Sequence, residues 1–249
     1  MLFIHTEFEN NARDHRLRML FPTDFSTETH LADAVFDVVE RLDIPGENWQ
    51  NPSRCQRMQY FAAAEDVKEG LAVINRGNYE YEILPERKQI AVTLLRSVGE
   101  LGDWGVFPTP EAQCLSLITA DLALLPYAGE SFRENGCREA VQFQTDMLTF
   151  PITDSAGVFP EYGSFLSCSG EGLAVTTLKP AEDGRAIILR VCNVMEKETD
   201  WKVEISRSYK CFSSNIMETK GKSVSANENG AVNVLVKKKE IKTVRIEEY

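Results

Sequence analysis

From Gly70 to Cys114 the chain alternates short apolar runs with turn clusters. Leu71–Ile74 and Ile90–Leu95 are of strand length, and Tyr79 to Leu84 alternates strictly between polar and apolar. Pro85-Glu86-Arg87-Lys88 punctuates the two halves. Apolar runs this short, bounded by turn residues, form strands and not helices. Charged residues gather where these strands end: Arg76, Glu80 and Glu82 on one side, Arg96, Glu100 and Asp103 on the other. A rigid sheet that delivers polar groups into a glycine-rich loop, here Gly99 to Pro108, makes a binding rim.

The same grammar extends in both directions. Met1 to Asn10 and Arg16 to Phe21 alternate, with Asn10-Asn11 and Asp14 between them, which predicts a hairpin or meander pair. Pro22 to Leu31 reads as a loop, Ala34 to Arg41 as a short strand, Asp43 to Pro52 as a second loop, and Cys55 to Glu65 as one strand. Thr109-Pro110-Glu111 suits one helical turn, because proline is favoured at a first helical position. Leu115 to Pro126 is a further strand. Glu130 to Thr145 has helical character, although Gly136 weakens it. Thr149 to Gly163 reads as a linker or long loop, and seven strands follow it. Turn signals recur roughly every 8–15 residues without β-α-β alternation, so the expectation is all-β, antiparallel and sandwiched.

Bulk properties narrow the function classes. The 249 residues carry 27 Lys and Arg against 38 Asp and Glu, a formal net charge of -11. Nucleic-acid binding needs clustered cations, and the only dense basic run, Lys237-Lys238-Lys239, reads as a solvated strand end. No apolar run approaches the ~20 residues of a spanning helix, so neither nucleic acid nor membrane is an expected partner. The six cysteines lie far apart without a C-x-x-C pair, which fits free thiols in a reducing cytoplasm. Cys192 and Cys211 sit in apolar strands as small hydrophobes.

An ordered set of phrases carries a family resemblance. These are Gly70-Leu71-Ala72-Val73-Ile74-Asn75-Arg76-Gly77, Glu80-Tyr81-Glu82, Thr93-Leu94-Leu95-Arg96-Ser97-Val98-Gly99 and Thr109-Pro110-Glu111-Ala112-Gln113-Cys114. Upstream stand Asp14-His15-Arg16-Leu17-Arg18 with Leu20-Phe21-Pro22, and Phe36 to Arg41; downstream stand Lys179 to Asp183, Ile188-Leu189-Arg190 and Asn193. In this order they resemble the C-terminal region of glycoside hydrolase family 38, the α-mannosidases, in its bacterial branch.

The resemblance implies a galactose-mutarotase-like supersandwich over residues 1–183, truncated at its N-terminus, and a smaller β-sandwich over 184–249. It implies a retaining, zinc-dependent glycosidase whose ligands and carboxylates come from an N-terminal β/α barrel. A retaining mechanism needs two carboxylates about 5 Å apart. No segment of this chain resembles that barrel, so zinc and the nucleophile are expected outside it, and the chain alone is expected to be inactive. Its partners would be that barrel in the same polypeptide and a mannoside; a homodimer through the surface left without the barrel is a further expectation.

The substrate-binding candidates are Arg96, Arg76, Asp103 and Trp104. The resemblance implies an arginine sent from this region to the active-site rim, and Arg96, after a buried strand and before the glycine loop, is placed for it. A structural ion pair of Arg96 with Glu80, Glu82 or Glu100 is the competing reading. Glu80 and Glu82 share one strand face and Tyr81 takes the other. Trp104 could stack on a sugar or merely close the sheet, and the loop that carries it is shorter than is usual in the family. Glu111 and Gln113 read as packing support for that loop.

Two further functions are open from the residues. An aldose epimerase would pair His15 with Glu80 or Glu111 as acid and base. A stand-alone carbohydrate-binding module would expose Trp49, Trp104 and Tyr127 on a platform. For a metal, His5 and His15 could meet across the predicted hairpin near Glu7 or Asp14, although His15 more readily serves a backbone carbonyl or a carboxylate. His30, in a polar loop, reads as exposed.

Overall fold

The computed structural model describes residues 1–44, 53–102, 105–128, 132–151, 157, 161–206, 209–226 and 231–248. These form two compact units, Met1–Phe132 and Arg133–Tyr249.

Among the described residues the first unit contains twelve strands. They are β1 (Leu2–Glu9), β2 (Arg16–Pro22), β3 (Thr29–Ala34), β4 (Asp37–Leu42), β5 (Gln56–Arg57), β6 (Phe61–Glu65), β7 (Glu69–Arg76), β8 (Glu80–Leu84), β9 (Gln89–Arg96), β10 (Glu100–Leu101), β11 (Phe107–Pro108) and β12 (Leu117–Ala128). A six-stranded sheet runs β1-β12-β7-β6-β3-β4, and a four-stranded sheet runs β2-β9-β8-β5. Every pairing is antiparallel. Ala62, Ala64, Val73 and Leu122 of the larger sheet face Phe21, Tyr81, Ile83, Ile90 and Val92 of the smaller one and make the core. The small alanines on β6 leave room for the large side chains of β8 and β9, the interdigitation a sandwich needs.

The N-terminal strands depart from the predicted hairpin. β1 pairs with β12, while β2 pairs with β9 in the other sheet. The chain crosses between sheets at residues 10–15, and side chains clamp that crossing. The buried Asn10 amide donates to the carbonyls of Gln113 and Cys114, each at 3.0 Å. Asp14, in the left-handed region at φ 50°, accepts from Gly99 N–H and from Gln113 Nε2, both at 2.8 Å. Gln113 therefore supports the loop, as its sequence context suggested. A similar switch divides the segment read as one strand from Cys55 to Glu65. β5 joins the four-stranded sheet and β6 the six-stranded one, with buried Met58 between them. The segment read as a loop up to Leu31 already contains the start of β3, whose Leu31 and Ala32 are buried between β4 and β6.

The second unit opens on helix α1 (Phe132–Gln144), whose first residue closes the first unit. Eight strands follow: β13 (Leu166–Ser169), β14 (Leu173–Pro180), β15 (Ile187–Asn193), β16 (Thr199–Ile205), β17 (Tyr209–Ser214), β18 (Lys220–Val224), β19 (Val232–Val236) and β20 (Ile241–Glu248). A three-stranded sheet β13-β16-β19 packs on a five-stranded sheet β14-β15-β20-β17-β18. Leu189, Val191, Trp201, Val203, Val234, Val244 and Ile246 fill the space between them. Strict alternation on β16 and β19 (buried, exposed, buried) is the sequence pattern that specifies this face.

The expected boundary near residue 183 lies in the turn between β14 and β15, which pair from Leu173↔Asn193 to Pro180↔Ile187. A cut there would separate neighbours in one sheet. The observed division after Phe132 keeps every ladder intact.

Candidate functional site

The outer face of the four-stranded sheet gathers the charges that the sequence placed at strand ends. Glu80 and Glu82 project from β8 on the side opposite the buried Tyr81. On β9 the register shifts between Leu17↔Leu95 and Arg18↔Thr93, leaving Leu94 as an extra residue. Such a bulge turns side chains an odd number of residues apart to one face. Thr93 and Arg96 consequently reach the same carboxylate. Arg96 Nη2 donates to both Glu80 oxygens at 2.8 Å, and Thr93 Oγ1 donates to Oε1 at 2.6 Å. From β2, Arg16 Nε lies 3.2 Å from Glu80, and Arg18 Nη1 donates to Glu82 at 2.6 Å.

Three guanidiniums thus surround two carboxylates. Burial acts to raise the Glu80 pKa, but the hydrogen bonds from Arg96 and Thr93 and the charges of Arg16 and Arg96 outweigh it and hold the carboxyl below its usual range. Arg96 remains about half exposed at its side chain while tied to Glu80. The ion-pair reading of Arg96 is the one this geometry displays.

The other candidates do not join this cluster. Arg76 ends β7 on an exposed face, in register with Asp121 of β12. Asp103 and Trp104 lie outside the described residues, as does Trp49. Tyr127 does not fit a platform: its half-buried ring packs beside Phe132, with centroids 5.1 Å apart, and lies over Gly70. His5 and His15 belong to strands and turns of different sheets. His5 bonds Asp121 at 2.7 Å, and that bond and charge raise its pKa, whereas the His15 Nδ1 is buried without a hydrogen-bond partner. Among the described residues no group of three or more His, Cys, Asp or Glu side chains is placed to hold a metal ion.

The reading of His30 as exposed is overturned, and the correction uncovers a second polar cluster. His30 is only 1% exposed. Its register partner on β4 is Arg41, so both project toward the four-stranded sheet, from which Tyr81 approaches. His30 Nδ1 lies 2.6 Å from Asp43 Oδ1, and Nε2 lies 2.6 Å from the Tyr81 hydroxyl. Thr27 donates to the second Asp43 oxygen at 2.8 Å, and Arg41 Nη1 donates to Tyr81 Oη at 3.2 Å. The contacts form one chain, Arg41 to Tyr81, Tyr81 to His30 and His30 to Asp43. Burial pushes the Tyr81 phenol up to about 12, which keeps it a donor. The sequence signal was present in the odd member of Glu80-Tyr81-Glu82. A tyrosine on a core face needs a partner for its hydroxyl, and a buried histidine is the natural one.

Comparisons with known proteins agree with this architecture. Residues 2–103 match the glycosyl hydrolases family 38 C-terminal domain, and residues 172–244 match the family 38 C-terminal β-sandwich domain. A curated relative from Halalkalibacterium halodurans, named "Putative mannosylglycerate hydrolase", is 37% identical over 246 residues. That alignment takes in 99% of this chain and 27% of the relative. The crystal structure of an α-mannosidase from Enterococcus faecalis V583 superposes with a TM-score of 0.86 at 31% identity, covering 98% of this chain and 27% of that one. A second Enterococcus faecalis structure, of a protein in glycosyl hydrolase family 38, gives 0.81 at 30% identity, covering 98% and 28%. This chain therefore spans about a quarter of the length of these relatives, which are larger proteins that hold the matching region within a single polypeptide. The chain belongs to glycoside hydrolase family 38 and corresponds to that family's C-terminal β-sandwich region.

Proposed function

We propose that this chain is the C-terminal β-sandwich part of an α-mannosidase, which braces a catalytic barrel of the same polypeptide and lines its sugar cleft. The observation that carries the reading is the pair of family 38 C-terminal matches, at 2–103 and 172–244, on a chain equal to about a quarter of its relatives. In the complete enzyme, zinc and the two carboxylates of a retaining mechanism reside in the barrel. No step of the chemistry is assigned to a residue of this chain.

Its own contribution is a rigid charged rim. Arg96 is fixed by Glu80 through a two-oxygen contact, and its half-exposed guanidinium is placed to reach sugar hydroxyls. Arg76 ends the adjoining strand of the other sheet on an exposed face.

Hydrolysis of a chromogenic α-mannoside tests the reading. The chain alone is expected to show no turnover with or without added zinc. Mixing it with the separately produced barrel is expected to bring activity, and Arg96→Ala to reduce it. Turnover by this chain alone that tracks bound zinc would overturn the assignment.

A further inference from the structure

In the second unit β13 and β14 are edge strands of the two packed sheets, and residues of both line a cavity of about 220 Å³. The registers turn one set of side chains toward it. On β16, Trp201 and Val203 are buried two residues apart, and Cys168 of β13 stands opposite Val203, so all three take the inner face. On the other sheet Val175 stands opposite the buried Val191, and Leu173, two residues before Val175, shares its face. Helix α1 closes a third side with Arg138, Val141 and Gln142, spaced to lie on one helix face. The helix is tied to the sandwich by Gly172 N–H, which donates to Glu134 O at 3.0 Å.

Leu173, Val175, Val191 and the Trp201 ring give the cavity apolar walls. One polar atom breaks this surface. Trp201 is 0% exposed, and its Nε1 has no hydrogen-bond partner among the described residues. An indole N–H can only donate, and a buried donor left unpaired is rare enough in folded proteins to need a reason. Cys168 shows where this donor points. The residue is exposed, yet burial raises its thiol pKa and the Trp201 N–H acts against that rise, so the sulfur lies inward beside the indole nitrogen. Sulfur is a weak acceptor, and the contact falls short of a hydrogen bond.

Size and polarity then select the ligand. An apolar cavity of about 150 Å³ already takes up benzene, so this one suits a single ring with a short substituent. A monosaccharide would bury hydroxyls against valine and leucine without partners. A carboxylate would bring a charge to a site whose buried donor is neutral, while the Arg138 side chain is exposed and screened by water. A neutral acceptor on an apolar ring meets none of these costs.

We propose that this cavity is a binding site for a neutral one-ring molecule bearing a carbonyl oxygen, whose ring lies against Leu173, Val175 and Val191 and whose oxygen accepts from Trp201 Nε1 in place of the Cys168 sulfur. The site stands on the cavity and the unpaired indole N–H, independently of the α-mannosidase reading.

Titration of this chain with acetophenone tests it, followed by NMR at the indole N–H resonances of its three tryptophans. Ethylbenzene, benzoate and D-mannose serve as comparisons: the first lacks the oxygen, the second is charged and the third is a sugar. Acetophenone is expected to move one indole N–H downfield saturably. It should bind at least about fivefold tighter than ethylbenzene, whose complex leaves the donor unpaired, and tighter than benzoate or mannose. Val175→Phe, on an edge strand and partly exposed, is expected to fill the cavity and abolish the shift. Trp201→Phe removes the responding resonance and so identifies it; if that variant fails to fold, Val175→Phe and the ethylbenzene comparison still decide. Absence of saturable acetophenone binding, ethylbenzene as tight as acetophenone, tighter binding of benzoate or mannose, or a shift that survives Val175→Phe would overturn the proposal.

Discussion

Glu80 and Arg41 sit at the centres of two polar clusters in the same unit, and they are built oppositely. Around Glu80, three guanidiniums and a threonine close on two carboxylates, so each cation has a counter-charge within the protein. Around Arg41, a chain of buried groups spends itself on one guanidinium nitrogen and leaves the outward side open. The first arrangement is what an ion pair does when it stabilises a sheet face. The second resembles a tool held by its handle. Charge density alone does not distinguish them; the presence of a paired carboxylate among the described residues does.

Four substitutions sharpen the contrast. The largest effect is expected at Asp33. Its carboxyl stays protonated in the folded chain up to about pH 7 but ionises near 4 when unfolded. The raised folded value means its contribution is fully present at low pH and is lost as pH rises toward 7. Asp33→Asn removes that penalty, so urea denaturation at pH 8 should show a gain of about 2–4 kcal/mol that disappears near pH 4. A gain equal at both pH values would mean that Asp33 ionises normally in the fold.

Next comes Glu80→Gln. It leaves Arg16 and Arg96 without their main counter-charge on a partly buried face and should cost about 2 kcal/mol. Glu80 has a lowered pKa, so its contribution is present above the unfolded value and is lost as pH falls through the folded one. The wild type and the Gln variant should therefore converge in acid, as followed by denaturant midpoints at pH 7 and pH 3.

Tyr81→Phe deletes the hydroxyl between His30 and Arg41 and should cost about 1–2 kcal/mol. An unchanged urea midpoint would show that the hydroxyl carries no net stability in that chain. The smallest effect is expected from Arg96→Ala, about 0.2–1 kcal/mol, since this side chain is half exposed. A loss several times larger would mean that the Glu80 cluster depends on that one arm.

The sequence disclosed the strand class well because apolar alternation is local. β7, β8 and β9 fall where the periodicity put them, and β16 and β19 show their two-residue period in burial. It misplaced the strands whose partners are remote. β1 and β2 look like a hairpin in isolation, and only the Asn10 and Asp14 clamps to residues 99–114 reveal that they serve different sheets. The Glu80–Arg96 pair was legible, since both residues end adjacent strands. The His30–Tyr81 pair was not, because the histidine stood in a polar stretch whose burial comes from β4 and β6 on either side.

The pairing of β1 with β12 also has a temporal side. His5 meets Asp121 across 116 residues, and a ribosome adding about 5–20 residues per second needs roughly 6–23 s to make that interval. Throughout that time Leu2–Glu9, with Leu2 and Phe3 exposed even in the finished sheet, is an orphan strand on a growing chain. Its backbone can be claimed by another nascent copy before β12 appears. Yield in the cell should therefore depend on translation speed and chaperone supply more steeply than the stability of the folded sandwich would suggest.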